Sequence, residues 1–151
     1  MPLDEQAGRR VIDLTGPECW KLLASVPLGR VVFSQHAMPA IRVVSHLVDG
    51  GAIIVRSPQG AVITGSTRRA GVSAAGGQGS GAVVCYEADD MDPVRRIGWS
   101  VVVTGLARLV SDPATAARYS RLLPSCVPGV AGVAGDLVAI EPGVVAGRRV
   151  T

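Results

Sequence analysis

Along most of the chain the hydrophobic positions fall into short Val- and Ile-rich runs broken by turn residues, and a helical period appears in two places. The first is near the N-terminus, where Cys19, Trp20, Leu22, Leu23 and Val26 recur at helical spacing. The preceding Thr15-Gly16-Pro17-Glu18 supplies a start signal: Thr15 caps, Pro17 sits in the first turn and Glu18 completes a T-x-x-E capping box. Pro27 and Gly29 close the element, which predicts an amphipathic helix at 17–26. In the second, Asp112 caps and Pro113 opens PATAARYSRLL, which Pro124 ends. Residues 1–15 show no period and predict a poorly structured lead-in to a single domain over 16–151.

The remaining pattern is that of strands. GRVVFSQ (29–35), MPAIRVVSHLVDG (38–50) and GAIIVRS (51–57) predict a three-stranded antiparallel meander, with Asp49-Gly50-Gly51 as a hairpin signal. AVVCYEADD (82–90) and GWSVVVTGLARLVSD (98–112) predict two more strands joined by an acidic, Pro-containing turn. DLVAIEPGVVAGRRV (136–150) predicts a last one, kinked or bulged near Pro142-Gly143. Between them lie RSPQGAVITGSTRRAG (56–71), the glycine-rich AAGGQGSG (74–81) and the loop PSCVPGVAGVAG (124–135). Six strands at short spacing with small helices predict a mainly β protein, an antiparallel barrel.

Composition narrows the partners. A chain of 151 residues, 48% of them hydrophobic, is long enough to bury a core, yet no run of about 18 apolar residues occurs that would predict a membrane span. The N-terminal MPLDEQAGRRVIDL is acidic and lacks a signal-peptide core, which predicts a cytoplasmic protein. Cys19, Cys85 and Cys126 are odd in number and lack metal-ligand spacing with His36 and His46, so they read as reduced thiols. The net charge is +3 and all basic residues but Lys21 are arginine, but they are scattered in pairs and aromatics make up only 3%. That pattern argues against nucleic-acid binding.

The order of GRVVF, PAIRVVSHLVDGGAIIVRS, VVCYEADDMDP, GWSVVVTGLARLV and IEPGVVAGRRV resembles the pyridoxamine 5′-phosphate oxidase-like, FMN-binding split-barrel proteins over about residues 16–150. The resemblance implies a six-stranded antiparallel Greek-key split β-barrel that forms a homodimer, with flavin sites in clefts between the subunits. It places Arg42, Val43, Val44 and Ser45 along the flavin ring with His46 at its edge, and Arg56 and Ser57 beside the ribityl chain and phosphate. Trp99 and Ser100 of the GWSV strand fall near the interface. Such a site needs a cation and donors for the phosphate, apolar walls for the ring and backbone groups for its pyrimidine edge. A guanidinium at the end of an apolar strand meets the first need.

One departure from the family bears on the cofactor. Many flavin-binding members carry a Thr/Ser-Lys pair after this strand, and here Ala61 and Val62 occupy those positions. Thr67, Arg68 and Arg69 are candidates for a rebuilt phosphate cradle; the alternative is a solvated loop, because the run lacks the helix N-terminus of a P-loop. His36 reads as a solvated turn residue, His46 either as a flavin contact or as a structural histidine, and Trp99 as packing. The acidic Glu87–Asp92 run reads as a solvated turn, without the central Gly and terminal Glu of a Ca²⁺ loop. No hydrolase or kinase motif is present. Two functions remain: an oxidoreductase using FMN or a deazaflavin on an unidentified small molecule, or a non-catalytic homodimer that has lost tight flavin binding and serves as a binding or stress-associated protein, with no cofactor retained.

Overall fold

The computed structural model of the chain describes residues 8–65, 81–123 and 135–151. Their elements are, in order, β1 (Val11–Asp13), α1 (Gly16–Ala24), β2 (Leu28–Gln35), β3 (Met38–Asp49), β4 (Ala52–Ser57), α2 (Gly60–Ile63), β5 (Ala82–Asp92), β6 (Ile97–Leu109), α3 (Pro113–Leu122) and β7 (Asp136–Val150).

Six of the strands close on themselves. Neighbours run β7-β4-β3-β2-β5-β6, and β6 pairs again with β7. Every neighbouring pair is antiparallel. The chain lays down β2, β3 and β4 as a meander, crosses to the far side of β2 for β5, and returns through β6 to β7, a Greek-key path. The ring is uneven: β6 and β7 pair along nearly their whole length, whereas β2 and β5 register only from Arg30↔Glu87 to Val32↔Cys85, and β3 and β4 only from His46↔Val55 to Asp49↔Ala52. That opening beside β3 is where the split-barrel architecture parts.

Alternation along each strand fills the interior. Val31 and Phe33 of β2, Tyr86 and Ala88 of β5, and Val101 and Val103 of β6 point into one core. α1 lies against it by the N-terminal device read from the sequence: Glu18 N–H donates to Thr15 Oγ1 at 3.4 Å and Thr15 N–H to Glu18 Oε2 at 2.8 Å. The helix can press close because Gly147 of β7 has no side chain; a Cβ there would stand 2.6 Å from Cys19 Sγ. A second cluster forms on the outside, where Tyr119 of α3 and Leu123 at its C-cap pack with Ile54 and Leu137. Asp49 in the β3–β4 hairpin clamps this helix, accepting from Tyr119 Oη at 2.6 Å and Arg118 Nη2 at 2.8 Å.

Several expectations are corrected. Within the lead-in, Val11–Asp13 pairs with Val150–Arg148 as a seventh strand; three residues are too few for a periodic signal. α1 ends at Ala24, where the Ser25 hydroxyl turns back to the Leu22 carbonyl. The acidic run is strand rather than turn: β5 continues to Asp92, and the turn is made by Pro93–Arg96, with Asp92 Oδ1 accepting from the backbone of Val94 and Arg95. The expected irregularity in β7 is present, as the register passes from Thr104↔Val144 to Gly105↔Pro142 and leaves Gly143 over. No helix among the described residues is long and apolar enough to cross a membrane.

Candidate functional site

β3 and β4 carry most of the residues expected to meet a cofactor, and the alternation of a strand sorts them onto two faces. Leu47 and Ile54 are register partners and both pack in the outer cluster beneath α3. Stepping by two from each gives Ser45, Val43 and Arg56 on the outer face. Val44, His46 and Ser57 are buried on the opposite, inner face. Ser45 and Arg56 each lie one residue beyond the last registered pair, His46↔Val55, where the two strands part.

Past that point β3 keeps only one ladder. Met38–Ser45 pairs with β2, and among the described residues no strand is registered against its other edge. Main-chain N–H and C=O groups on such an edge are ready hydrogen-bonding partners for a ligand. Val43, about half exposed, supplies an apolar wall beside it.

Arg42 has a different task. Its Nε donates to Gln59 Oε1 at 2.5 Å and its Nη1 to the Ile41 carbonyl at 2.7 Å, and the guanidinium lies 5.8 Å from the centre of the Phe33 ring. It thereby pins the turn after β4. Ser57 supports the same turn from within, its hydroxyl accepting from Gln59 N–H at 3.1 Å. The stretch read as an open loop begins with the helical turn α2, whose Ile63 is buried in the core while Thr64 donates to the Gly60 carbonyl at 2.9 Å. Ala61 and Val62 belong to this turn. Burial of Ile63 explains the helix; the sequence showed no period because four residues do not complete one. Thr67, Arg68 and Arg69, like Cys126, lie outside the described residues.

His46 is tied into the core at both nitrogens. Nε2 stands 2.8 Å from the Leu23 carbonyl, which can only accept, so Nε2 carries the proton and Nδ1 accepts from the Tyr86 hydroxyl. Burial pulls the imidazole pKa below its ordinary value, opposed by the bond to Leu23. Trp99 is likewise inside the barrel, buried to 8% exposure. Their side chains therefore stand on the other side of the sheet from Val43, Ser45 and Arg56. His36 is exposed in the β2–β3 turn with φ of 52°.

From Val43 the outer face continues across the barrel. One row of register partners runs Ile41, Val32, Cys85, Thr104, Val144 over five strands. The adjacent row runs Val43, Arg30, Glu87, Val102, Ala146. Ile41 and Val144 are more than half exposed. In the second row Arg30 Nη1 reaches Glu87 Oε2 at 3.1 Å and Asp89 Oδ2 at 3.6 Å. Partial burial, then the neighbouring Asp89, push the Glu87 carboxyl up to about 7. The sequence did not reveal this cluster because Arg30 and Glu87 are 57 positions apart; a carboxylate on a strand of alternating pattern was its one trace. Among the described residues no group of three His, Cys, Asp or Glu is arranged to hold a metal.

Comparison with known proteins agrees with this fold. The profile of the family described as pyridoxamine 5′-phosphate oxidase matches residues 15–149. An uncharacterized protein of Mycobacterium tuberculosis is 50% identical over 145 residues, 96% of this chain and 89% of that one. Among solved structures, an FAD-binding protein from Mycobacterium smegmatis is 30% identical with a TM-score of 0.63, over 91% of this chain and 95% of its own. A protein provisionally named pyridoxamine 5′-phosphate oxidase from Corynebacterium glutamicum is 28% identical with a TM-score of 0.68, over 93% and 98%.

Proposed function

The chain belongs to the pyridoxamine 5′-phosphate oxidase family, and from that premise we propose that it is a homodimeric flavoprotein that holds FMN where β3 and β4 part. The observation that carries the reading is the open β3 edge with Val43, Ser45 and Arg56 on one face beside it. The fit to a flavin is direct: main-chain groups of β3 for the pyrimidine edge, Val43 as an apolar wall, Arg56 for the phosphate. The solved relative at 30% identity is an FAD-binding protein, which supports a flavin as the class of occupant.

A bound flavin takes up and gives out hydride or single electrons, and the reaction proposed is an oxidation or reduction of a small organic molecule. The protein's own part is to bind and orient. Arg56 neutralises phosphate charge, the β3 edge fixes the ring, and Arg42 and Ser57 hold the turn that carries Arg56's end of the strand. His46, with both ring nitrogens engaged inside the core, acts as a structural support for β3 and not as a proton donor to the ring face.

The homodimer rests on the outer sheet face. Two adjacent rows of mostly apolar, partly exposed residues over five strands make a contiguous patch of the kind that marks an interface. The same patch carries Arg30 beside Glu87 and Asp89, so a second copy related by a twofold axis meets both signs of charge. The patch borders the cleft at Val43, so in this reading a flavin held there would lie between subunits.

A second reading has its own support. Ala61 and Val62 bring neither cation nor hydroxyl to the turn after β4, which favours a dimer that binds flavin weakly and works without redox chemistry. The absorbance spectrum of the purified protein, before and after addition of FMN, separates the two. Flavin bands that stay with the protein through gel filtration support the flavoprotein; a colourless protein that takes up neither FMN nor FAD supports the second reading.

A further inference from the structure

The cluster of Arg30, Glu87 and Asp89 sits at the middle of the outer face assigned to the dimer interface. Resting on that reading, we propose that this cluster makes the association of two copies pH-dependent, tighter as the pH falls through neutrality. The geometry is specific. A single guanidinium nitrogen serves two carboxylates, 3.1 Å from Glu87 and 3.6 Å from Asp89, so the group carries one negative charge in excess when both are ionised.

Among the described residues, the neighbouring positions offer no second cation. Glu87 has Arg30 beside it on β2 and Val102 beside it on β6, while Asp89 lies opposite Ser100. On the next strands outward stand Val43 of β3 and Ala146 of β7. Further along this face is Arg148, opposite Ser100, which already faces Asp13 at 3.6 Å. The cluster is therefore set in an apolar field, with Arg30 as its one counter-charge among these neighbours.

In the separate protomer water still reaches these groups; the Arg30 side chain is half exposed. Covering the face with a second copy removes that water and makes the surplus negative charge costly. One proton taken up by Glu87 relieves it: the protonated carboxyl donates to Asp89, which keeps its contact with Arg30, and the cluster becomes neutral. Glu87 is already pushed up to about 7 before any partner covers it. Two such protons are bound per dimer. With each Glu87 near pH 7 in the protomer and higher in the dimer, linkage gives a dissociation constant up to about a hundredfold larger at about pH 8 than at about pH 6.

Sedimentation equilibrium of the full chain at about pH 6, 7 and 8 and fixed ionic strength tests this, on wild type and on Glu87→Gln, whose amide imitates the protonated side chain. The expected result is a dimer that weakens by about tenfold or more toward about pH 8 in wild type and stays tight across the range in Glu87→Gln. A wild-type dimer with the same dissociation constant at all three pH values overturns the inference and leaves the dimer standing. Equal pH dependence in wild type and Glu87→Gln overturns it too, assigning the effect to another group. A protein that is monomeric at every pH and concentration removes the dimer reading itself, and the pH switch with it.

Discussion

The Tyr86 hydroxyl donates to Nδ1 of His46 across the interior of the barrel, joining β5 to β3 at residues 40 positions apart. With Nε2 bonded to the Leu23 carbonyl, the imidazole couples α1, β3 and β5 in one buried chain of hydrogen bonds. The bond from Tyr86 requires the neutral ring, because a protonated Nδ1 cannot accept it, whereas Nε2 donates to Leu23 in either form.

Stability therefore depends on pH through His46. Burial holds its folded-state pKa below the ordinary 6.5, so the unfolded chain binds the proton more readily than the folded one. The stabilisation is fully present above 6.5 and is lost as the pH falls from there through the depressed folded value. Urea unfolding at about pH 7.5 and about pH 5.5 checks this: wild type loses stability on acidification, and His46→Gln loses less. An identical acid loss in both proteins contradicts the assignment.

Gly29 makes room for that pair. Any Cβ there would collide with the Tyr86 ring and hydroxyl, so Gly29→Ala has to displace the phenol from His46. Overpacking of this kind costs about 1–3 kcal/mol. Tyr86→Phe leaves Nδ1 without its donor, at a comparable cost of about 1–3 kcal/mol. Thermal or denaturant unfolding of the two variants measures both, and a neutral Gly29→Ala refutes the close packing.

Val144 tests the outer face. It is 64% exposed in the protomer, at the end of the row that begins with Ile41. Val144→Asp is expected to leave the far-ultraviolet circular dichroism and unfolding of the protomer unchanged while light scattering reports half the mass of wild type, because an unpaired charge is costly inside an interface. A dimer that survives the substitution places the interface elsewhere.

How far this was legible in the sequence varies with the range of the interactions involved. The Thr15–Glu18 capping box, the Asp112 cap and the Asp49-Gly50-Gly51 hairpin are local, and residues three or fewer apart settled them. The barrel came from the strand period together with the family resemblance. The sequence placed Arg42, Val43, Val44, Ser45 and His46 on one strand, but which of them share a face with Arg56 depended on register: the Leu47↔Ile54 pairing and its packing under α3 divide them. Arg42–Gln59, His46–Tyr86 and Arg30–Glu87 are long-range pairs that no local pattern encodes. β1 owes its order to backbone pairing with β7 and α2 to the burial of Ile63, and each is too short to declare a period.

The family resemblance set Arg42 along the flavin ring and Arg56 by the phosphate; in the structure Arg42 is bonded to Gln59 and the Ile41 carbonyl, and only Arg56 is kept as a proposed ligand. Arg42→Met keeps an apolar stem over Phe33 and loses the bonds to Gln59 and the Ile41 carbonyl. Its expected effect is a loss of stability of about 0.5–1.5 kcal/mol with flavin affinity changed by less than about threefold. A loss of affinity as large as that of Arg56→Ala would make Arg42 a ligand in its own right.

Binding of the flavin phosphate at Arg56 is tested by a calorimetric titration of FMN and riboflavin into wild type and Arg56→Ala, with Arg95→Ala in the β5–β6 turn as control. Arg56 faces the same side as Val43 and Ser45 at the end of β4, where a phosphate would meet it. Wild type and Arg95→Ala are expected to bind FMN far more tightly than riboflavin. In Arg56→Ala, FMN affinity falls by roughly ten- to a hundredfold, the equivalent of about 1.5–3 kcal/mol, and riboflavin affinity does not change. Equal affinity for the two ligands in wild type, or undiminished FMN affinity in Arg56→Ala, would show that the phosphate is held elsewhere or not at all.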